Sequence, residues 1–480
     1  MFGIMEIVIN PVIPSIRRFP LNMIVSEKPC ENQSLFPQTD RFFSQFGLSK
    51  ILLKCNFYKE SGFHCVVVLK ELINLIFKGR NLFRTLALSD NGLPFQKNTA
   101  YRFLNSSHFN WSRLLFLVMT QLIQKIDRLT ADDRESVLIV DDSLFSRDRS
   151  KKVELLSKVF DHTTSRFFKG FRMLTLGWSD GNTFLPVAFH LLSSQKSENV
   201  YCPAVQHDKR TLAYKRRDMA VQCTADVLLS LLRQAKHLPA RFVLFDSWFT
   251  MPKTVVRVKK EHRDVIGMVR LTDKIHYLYD GKWQDVKKLY ARLTPRADSA
   301  SKILGSVCVK LREDKKVGDD DYVDARIVFV KDRRSDNWLA LLCTDLAISE
   351  EEVIRIYGKR WDIEVFFKVC KSYLALAKEF QGRSYDMQVA TTTIVFLRYA
   401  MLSVETRCTQ DERTIGELFY YLREEMADLK FTESLVFLID TLRRILHGMP
   451  LLSVTMAESI MQKFLDALPQ PYRQRLQVSA

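Results

Sequence analysis

The sequence predicts a mixed α/β fold with an antiparallel β insertion, flanked by helical regions at both ends. Three observations predict it. Two short apolar runs, SVLIVDDS at 136–143 and ARFVLFDSWFT at 240–250, end in acids and read as buried strands. The segment GFRMLTLGWSDGNTFLPVAFHLLSS carries two alternating runs around Ser179-Asp180-Gly181-Asn182, a hairpin signal. Helix-period apolar stripes fill much of the chain before residue 131 and after residue 384.

Taken in order, residues 1–40 are irregular, with Pro11, Pro14, Pro20, Pro29 and Pro37, and predict a loosely packed arm. FFSQFGLSKILLKCNF and FHCVVVLKELINLIFKG predict helices, with Gly79 as a stop. Residues 1–130 hold sixteen Lys and Arg against eight Asp and Glu, a basic helical region that suits a nucleic-acid reader or a helical scaffold. From residue 131 the texture changes. The strand at 136–143 and the hairpin form a meander rather than βαβ units. A basic segment, HDKRTLAYKRRD, follows at 207–218, then a helix over 219–238, the strand ending at Asp246, and a further strand, VIGMVRL, at 265–271. Residues 273–345 are β-rich, with charged turns such as REDKKVGDDD, and predict the antiparallel insertion. One helix is predicted over 350–374, opened by a capping box of Ser349 and Glu352. Residues 385–480 are predicted to be helical.

The chain of 480 residues is long enough for roughly two to four domains. Its formal charge of +17 points to a polyanionic partner, nucleic acid ahead of a membrane surface. The nine cysteines are scattered, with no zinc spacing, and predict reduced thiols in a cytosol. The N-terminus lacks signal-peptide architecture, and no run of about 18 uninterrupted apolar residues predicts a membrane span. Glycine-rich phosphate loops are absent, so no nucleotide cofactor is expected.

The chemistry is carried by acids at strand ends. Asp141 and Asp142 close one strand and Asp246 closes another, where α/β sheets build sites. A single acid there is often only a turn former. Two such strands and a helix carrying Glu364 point further. Converging carboxylates repel unless a cation lies between them, and hard oxygen donors select Mg²⁺ or Mn²⁺, two of which can clamp a phosphoryl group under in-line attack. With about 3.6 residues per turn, Tyr357, Arg360, Trp361, Glu364, Lys368 and Lys371 share one face of the predicted helix, apart from the apolar stripe of Ile356, Ile363, Phe367, Cys370 and Leu374. Arg and Lys on that face can hold phosphates, and Trp can stack on a base. The basic run containing Lys209, Arg210, Lys215, Arg216 and Arg217 is either a DNA grip or a solvated loop. Asp161-His162 is read as structural, and Ser143 and Ser146 lack an oriented His base.

Tyr357, Arg360, Glu364 and Lys371 follow Y-x2-R-x3-E-x6-K. That signature resembles the bacterial DDE transposases of insertion-sequence family four, and VLIVDDSLFSR and FVLFDSWFT resemble the family's first two acidic motifs. The resemblance covers roughly residues 95–375. It implies a ribonuclease-H-like catalytic core with a β insertion between the second Asp and the Glu, which here lie 118 residues apart. It divides the chain into a DNA-end-binding helical region (1–130), a first part of the core (131–272), the insertion (273–345), a last part with the Glu helix (346–384) and a C-terminal helical region (385–480). It implies that Asp142, Asp246 and Glu364 bind the metal, Mg²⁺ or Mn²⁺ and two ions. Asp142 is preferred to Asp141 because the family motif places a hydroxyl residue directly after the catalytic Asp, here Ser143. Strand alternation then turns Asp141 away. Tyr357 and Arg360 are expected to hold a phosphate near the cleaved end, with Lys371 on the DNA strand and Trp248 or Trp361 as the ring for a flipped base. The implied activity is cut-and-paste transposition in the bacterial cytoplasm, at the nucleoid. It proceeds by hydrolysis at terminal inverted repeats and strand transfer to target DNA, by a homodimer in a paired-end complex. A nuclease of the same core without joining activity, or a repressor derived from a transposase, are the alternatives.

Overall fold

The computed structural model describes residues 37–79, 81–87, 93–130, 134–161, 164–293, 302–313, 322–332, 337–409, 414–449, 452–470 and 472. The proline-rich arm, His162 and the tip of the REDKKVGDDD turn lie outside the described residues. Two units are distinguished, one of Pro37–Tyr421 and one whose described part begins at Leu422.

The first unit opens with helices α1 (Pro37–Gln45), α2 (Leu48–Lys54), α3 (Cys65–Asn74), α4 (Leu82–Ala87), α5 (Lys97–Leu104) and α6 (Trp111–Asp127). Strands β1 (Val137–Ser146), β2 (Ser157–Asp161), β3 (Arg166–Ser179) and β4 (Phe184–Leu192) follow, then α7 (Leu212–Ala220) and α8 (Thr224–Gln234). Next come β5 (Phe242–Phe245), α9 (Pro252–Lys260) and β6 (Asp264–Met268). The predicted insertion contains β7 (His276–Tyr279), β8 (Lys282–Asp285), α10 (Val286–Ala291), β9 (Ile303–Leu311), β10 (Val323–Lys331) and β11 (Trp338–Cys343). Helices α11 (Glu350–Gly358), α12 (Trp361–Ser372) and α13 (Tyr385–Thr409) complete the unit, and α14 (Ile415–His447) leads out of it.

All eleven strands join one sheet, in the order β2-β3-β1-β5-β6-β11-β10-β9-β7-β8, with β4 also on β3. The meander β1, β3 and β4 is antiparallel, whereas β5 lies parallel to β1 and β6 parallel to β5. The insertion is antiparallel, as the pattern predicts, and it extends the same sheet through the β11–β6 pairing.

Strand alternation sends odd-numbered residues of β1 to one face and even-numbered ones to the other. On the even face Trp178, opposite Leu138, donates from its indole to the Pro239 carbonyl beyond α8 at 2.7 Å. On the odd face Ser179, opposite Val137, donates to Asp362 of α12 at 2.5 Å. α12 can lie this close because Gly177 has no side chain: a Cβ there would meet the Phe184 ring at 2.1 Å, and Phe184 packs on Phe366 of α12. β4 is buried along its whole length, with α6, α7, α8, α12 and α13 packed on it.

Two boundaries differ from the sequence reading. α13 is long and apolar enough to cross a membrane, yet its apolar stretch is wholly buried in the first unit. It packs on α6 and β4, so the amino-terminal helices, the sheet and residues 385–421 form one packed unit. The predicted helix over 219–238 is split between α7 and α8 at residues 221–223. In the second unit, α15 (Val454–Ala467) closes a small core of Leu446, Ala457 and Met461.

Arg398 ties α13 to the amino-terminal helices. It is fully buried, donates to the Ile73 carbonyl at 2.8 Å and to that of Leu72, and forms a two-pronged pair with Glu379. Removing one partner of such a pair leaves a buried charge unmatched. Arg398→Met is therefore expected to destabilise the protein by about 3–5 kcal/mol, whereas Arg398→Met with Glu379→Leu recovers most of the loss. Urea denaturation of both variants checks this.

Candidate active site

β1 and β5 run parallel with Val140 beside Phe245, so the next residues of the two strands are Asp141 and Asp246. Four apolar residues precede each acid, VLIV and FVLF, and that equal length brings the two carboxylates to the same level. Burial first, then the neighbouring Asp246 and Asp142, push the Asp141 carboxyl up to about 7 against the opposing pull of Arg360. One oxygen of Asp246 serves its own loop, accepting from the Trp248 and Phe249 amides at 3.0 and 3.2 Å.

The predicted single helix is two. The chain turns at Lys359–Arg360, where Arg360 N–H reaches the Tyr357 carbonyl and Asp362 N–H that of Lys359, three residues back rather than four. Lys359 explains the break, because its ammonium is drawn to the carbonyls of Glu135 and Asp180. The turn places Arg360 between the acids. Its guanidinium lies 3.6 Å from Asp141 and donates to Glu364 at 2.6 Å. The rings of Tyr357 and Trp361 flank it at 6.0 and 5.5 Å. Tyr357 is largely enclosed, and burial with Asp246 and Asp141 nearby pushes its phenol up to about 12, so the hydroxyl keeps its proton. Farther along α12, Lys371 donates to Ser143 at 2.6 Å on the Asp141 face, and burial lowers its ammonium.

The sequence-predicted residues thus divide. Asp246, Tyr357, Arg360, Glu364, Trp361 and Lys371 gather around the middle of β1, beside Asp141 and Ser143, and Lys368 is exposed on α12. Asp142 does not face them. Alternation turns it to the opposite face, where it pairs with Arg172, and Asp141 stands in the position expected of Asp142. Trp248, 40% exposed, lies with Arg172 and Arg270 at 5.0 and 5.8 Å. Arg216 and Arg217 do not form a DNA grip. They are buried on α7, Arg216 against Asp386 at 2.5 Å and Arg217 against Glu154 at 2.6 Å and Asp386 at 2.8 Å. Their partners are lone acids far along the chain, which left no local signal. Arg210 is exposed and paired with Asp208.

The donor set fits a hard divalent cation in part. Asp141 and Asp246 offer oxygen donors whose mutual repulsion a cation relieves. Among the described residues no group of three His, Cys, Asp or Glu side chains stands close enough to hold a metal, and Glu364 is engaged by Arg360.

Residues 72–296 match the family model of the DDE superfamily endonucleases. The matched stretch contains Asp141 and Asp246 and ends before Glu364. The match supports a DDE transposase-like protein with nuclease-type function, a family that acts on DNA and generally uses divalent metals. No curated protein matches the chain.

The burial of Asp141, with the repulsion of Asp246 and Asp142 added to it, has a measurable consequence in metal-free protein. A carboxyl whose folded pKa is raised destabilises the fold as pH climbs from its unfolded value near 4 to its folded value near 7, and the loss is complete above that. Asp141→Asn is expected to raise stability at pH 8 by on the order of a few kcal/mol, with no gain at pH 4. Asp142→Asn, which breaks the pair with Arg172, gives no such gain. Thermal melts in EDTA at the two pH values distinguish the variants.

Proposed function

We propose that the chain is a cut-and-paste transposase of an insertion sequence, with Asp141, Asp246 and Glu364 as its metal-binding triad. The reading rests on one observation above the others: two carboxylates directly follow the last paired residues of two adjacent parallel strands, Val140 and Phe245, with Arg360 and Glu364 beside them. The antiparallel meander continued by two parallel strands, β4-β3-β1-β5-β6, supports a ribonuclease-H-like core.

In this reading Asp141, Asp246 and Glu364 would hold Mg²⁺ or Mn²⁺, two ions in the complete site, with Arg360 released from Glu364 to a DNA phosphate. The ions would supply Lewis-acid polarisation of the phosphoryl group and a more acidic water. The protein's own groups do the rest. Arg360 is already held in a half-buried position from which it can pair with a phosphate oxygen. Tyr357, protonated at neutral pH, donates to the same phosphate. Lys371 and Lys368 contact the DNA strand, and exposed Trp361 and Trp248 offer rings to an unstacked base.

The chemistry is two displacements at phosphorus. Water attacks the phosphodiester at the transposon end, and the bond to the 3′ oxygen breaks to leave a 3′-OH. That hydroxyl then attacks a target phosphodiester, so one ester bond replaces another without a nucleotide cofactor. Two terminal inverted repeats must be joined to one target, which calls for a homodimer in a paired-end complex, acting on nucleoid DNA in the bacterial cytoplasm.

A supercoiled plasmid carrying the DNA that flanks the gene tests the reading. With Mg²⁺ the protein is expected to nick it at the repeats and to join a pre-cut 3′-OH end to a second plasmid, and EDTA stops both. Asp141→Ala, Asp246→Ala and Glu364→Ala each lower cleavage by at least about 100-fold, while Asp142→Asn keeps most of it. Full cleavage by Asp141→Ala or Asp246→Ala overturns the triad, and cleavage without joined product reduces the protein to a nuclease.

A further inference from the structure

The first unit holds a second concentration of positive charge, away from the carboxylates. A groove of about 900 Å³ is formed by the segment after β1, the start of α5 and the connection before α13. Lys97, Arg149, Lys151, Lys152 and Arg383 line it, all exposed, and none of its lining residues is an acid. Among the described residues none of these five meets a carboxylate within ion-pair distance. Three buried cations elsewhere in the unit, Arg216, Arg217 and Arg398, each have a carboxylate partner. The one acid in the lining segment, Asp148, is turned to the Lys169 amide of β3 at 3.3 Å. Five unpaired like charges around one concavity repel each other, and that repulsion is relieved by a polyanion.

The groove is built rather than incidental. Arg147, largely buried, fixes its floor by donating to Gln388 at 2.9 Å and to the carbonyls of Ala377 and Phe380 at 2.8 and 3.3 Å. Those bonds lock the segment after β1 to the connection that follows α12. The groove and the carboxylates therefore lie along the same two elements. β1 runs from Asp141 to Ser146 and then into the groove, and α12 runs from Glu364 past Lys371 towards its far wall. Five strand residues at about 3.3 Å each put the groove roughly 16 Å beyond Asp141, equal to about five base pairs of duplex.

We propose that this groove grips the phosphate backbone of duplex DNA about five base pairs from the cleaved bond, and so holds the duplex along β1 while its end lies at Asp141 and Asp246. The inference rests on the DNA-cutting reading above, but it concerns affinity and can be measured without cleavage. Backbone contacts carry no sequence information and release counterions, so they are read from the salt dependence of binding.

The test is fluorescence anisotropy with a mixed-sequence duplex of about thirty base pairs, in EDTA, over a range of salt concentrations. The variants are Arg149→Gln/Lys151→Gln/Lys152→Gln, the pair Lys97→Gln/Arg383→Gln, and a control of exposed lysines elsewhere, Lys236→Gln/Lys282→Gln/Lys287→Gln. All are surface changes, and circular dichroism confirms the fold. Each phosphate neutralised by a groove cation steepens the dependence of log K on log salt by about 0.9, so the triple groove variant is expected to show a slope shallower by about 2 to 3, while the control keeps the original slope. If the groove variants bind with the slope of the unmodified chain, the groove is not the grip, and the inference fails while the DNA reading stands. An equally shallow slope in the control means diffuse charge attraction and also overturns it. If the unmodified chain binds no duplex at any salt, the DNA reading fails and the groove with it.

Discussion

Two carboxylates stand side by side just past the parallel pairing of β1 with β5, where burial and their mutual repulsion both disfavour charge, and the groups around them answer that cost. The register of β1 with β5 forces Asp141 and Asp246 together. Burial then leaves the protein two ways to lower the energy: protonate one acid or bring in a cation. It does the second with Arg360, which opposes but does not cancel the burial and the neighbouring charges that raise the Asp141 carboxyl. The break between α11 and α12 has a separate cause, the pull of the Glu135 and Asp180 carbonyls on Lys359. Just past it Arg360 touches Asp141 and, one helical turn on, Glu364.

Much of this was legible in the sequence, because periodicity and strand-end acids are local signals. The meander, the strand before Asp246, the antiparallel insertion and the charged face of the Glu364 segment are all visible as short patterns. What the sequence did not reveal is which of two adjacent acids faces inward. The motif of a hydroxyl after the acid favoured Asp142, whereas matching the lengths of VLIV and FVLF selects Asp141, and only strand register decides between them. Pairings over long separations were equally invisible. Arg216 and Arg217 sit in a run that reads as a solvated basic loop, yet Asp386 lies about 170 residues away and buries both. The split of the helix at Lys359 depends on the carbonyls of Glu135 and Asp180, contributed by other elements, and no helical propensity encodes it.

The excess of +17 is therefore not spread evenly in its meaning. Some cations are structural, desolvated and matched one for one with acids, and these fasten α7 and α13 to the rest of the unit. Arg360 is poised between acids that it can exchange for another anion. The groove cations are unpaired and exposed. A basic composition alone does not distinguish these three states. The distinction is physical: a buried pair has already used its attraction within the fold, and only a charge still facing water has attraction left for a ligand.

The distance between Asp246 and Glu364 along the chain, 118 residues, would leave Glu364 poorly placed if the insertion were a loose loop. It is not one. β11 anneals to β6, so the chain re-enters the sheet that carries Asp141 as a strand before it turns into α11. At that junction Thr344 donates to Asp264 at 2.7 Å, Arg326 donates to the carbonyls of Ile348 and Leu346 at 2.8 and 2.7 Å, and Ser306 reaches Glu350 at 2.5 Å. Ser349 then caps α11 by accepting from the Glu352 amide at 3.1 Å. Each link is short and hydrogen-bonded, so the position of α12 is set by the sheet and not by the length of the chain between. An insertion that continues the sheet can lengthen without loosening Glu364, since further strands added at β8 lie far along the sheet from the β6–β11–α11 path that carries it.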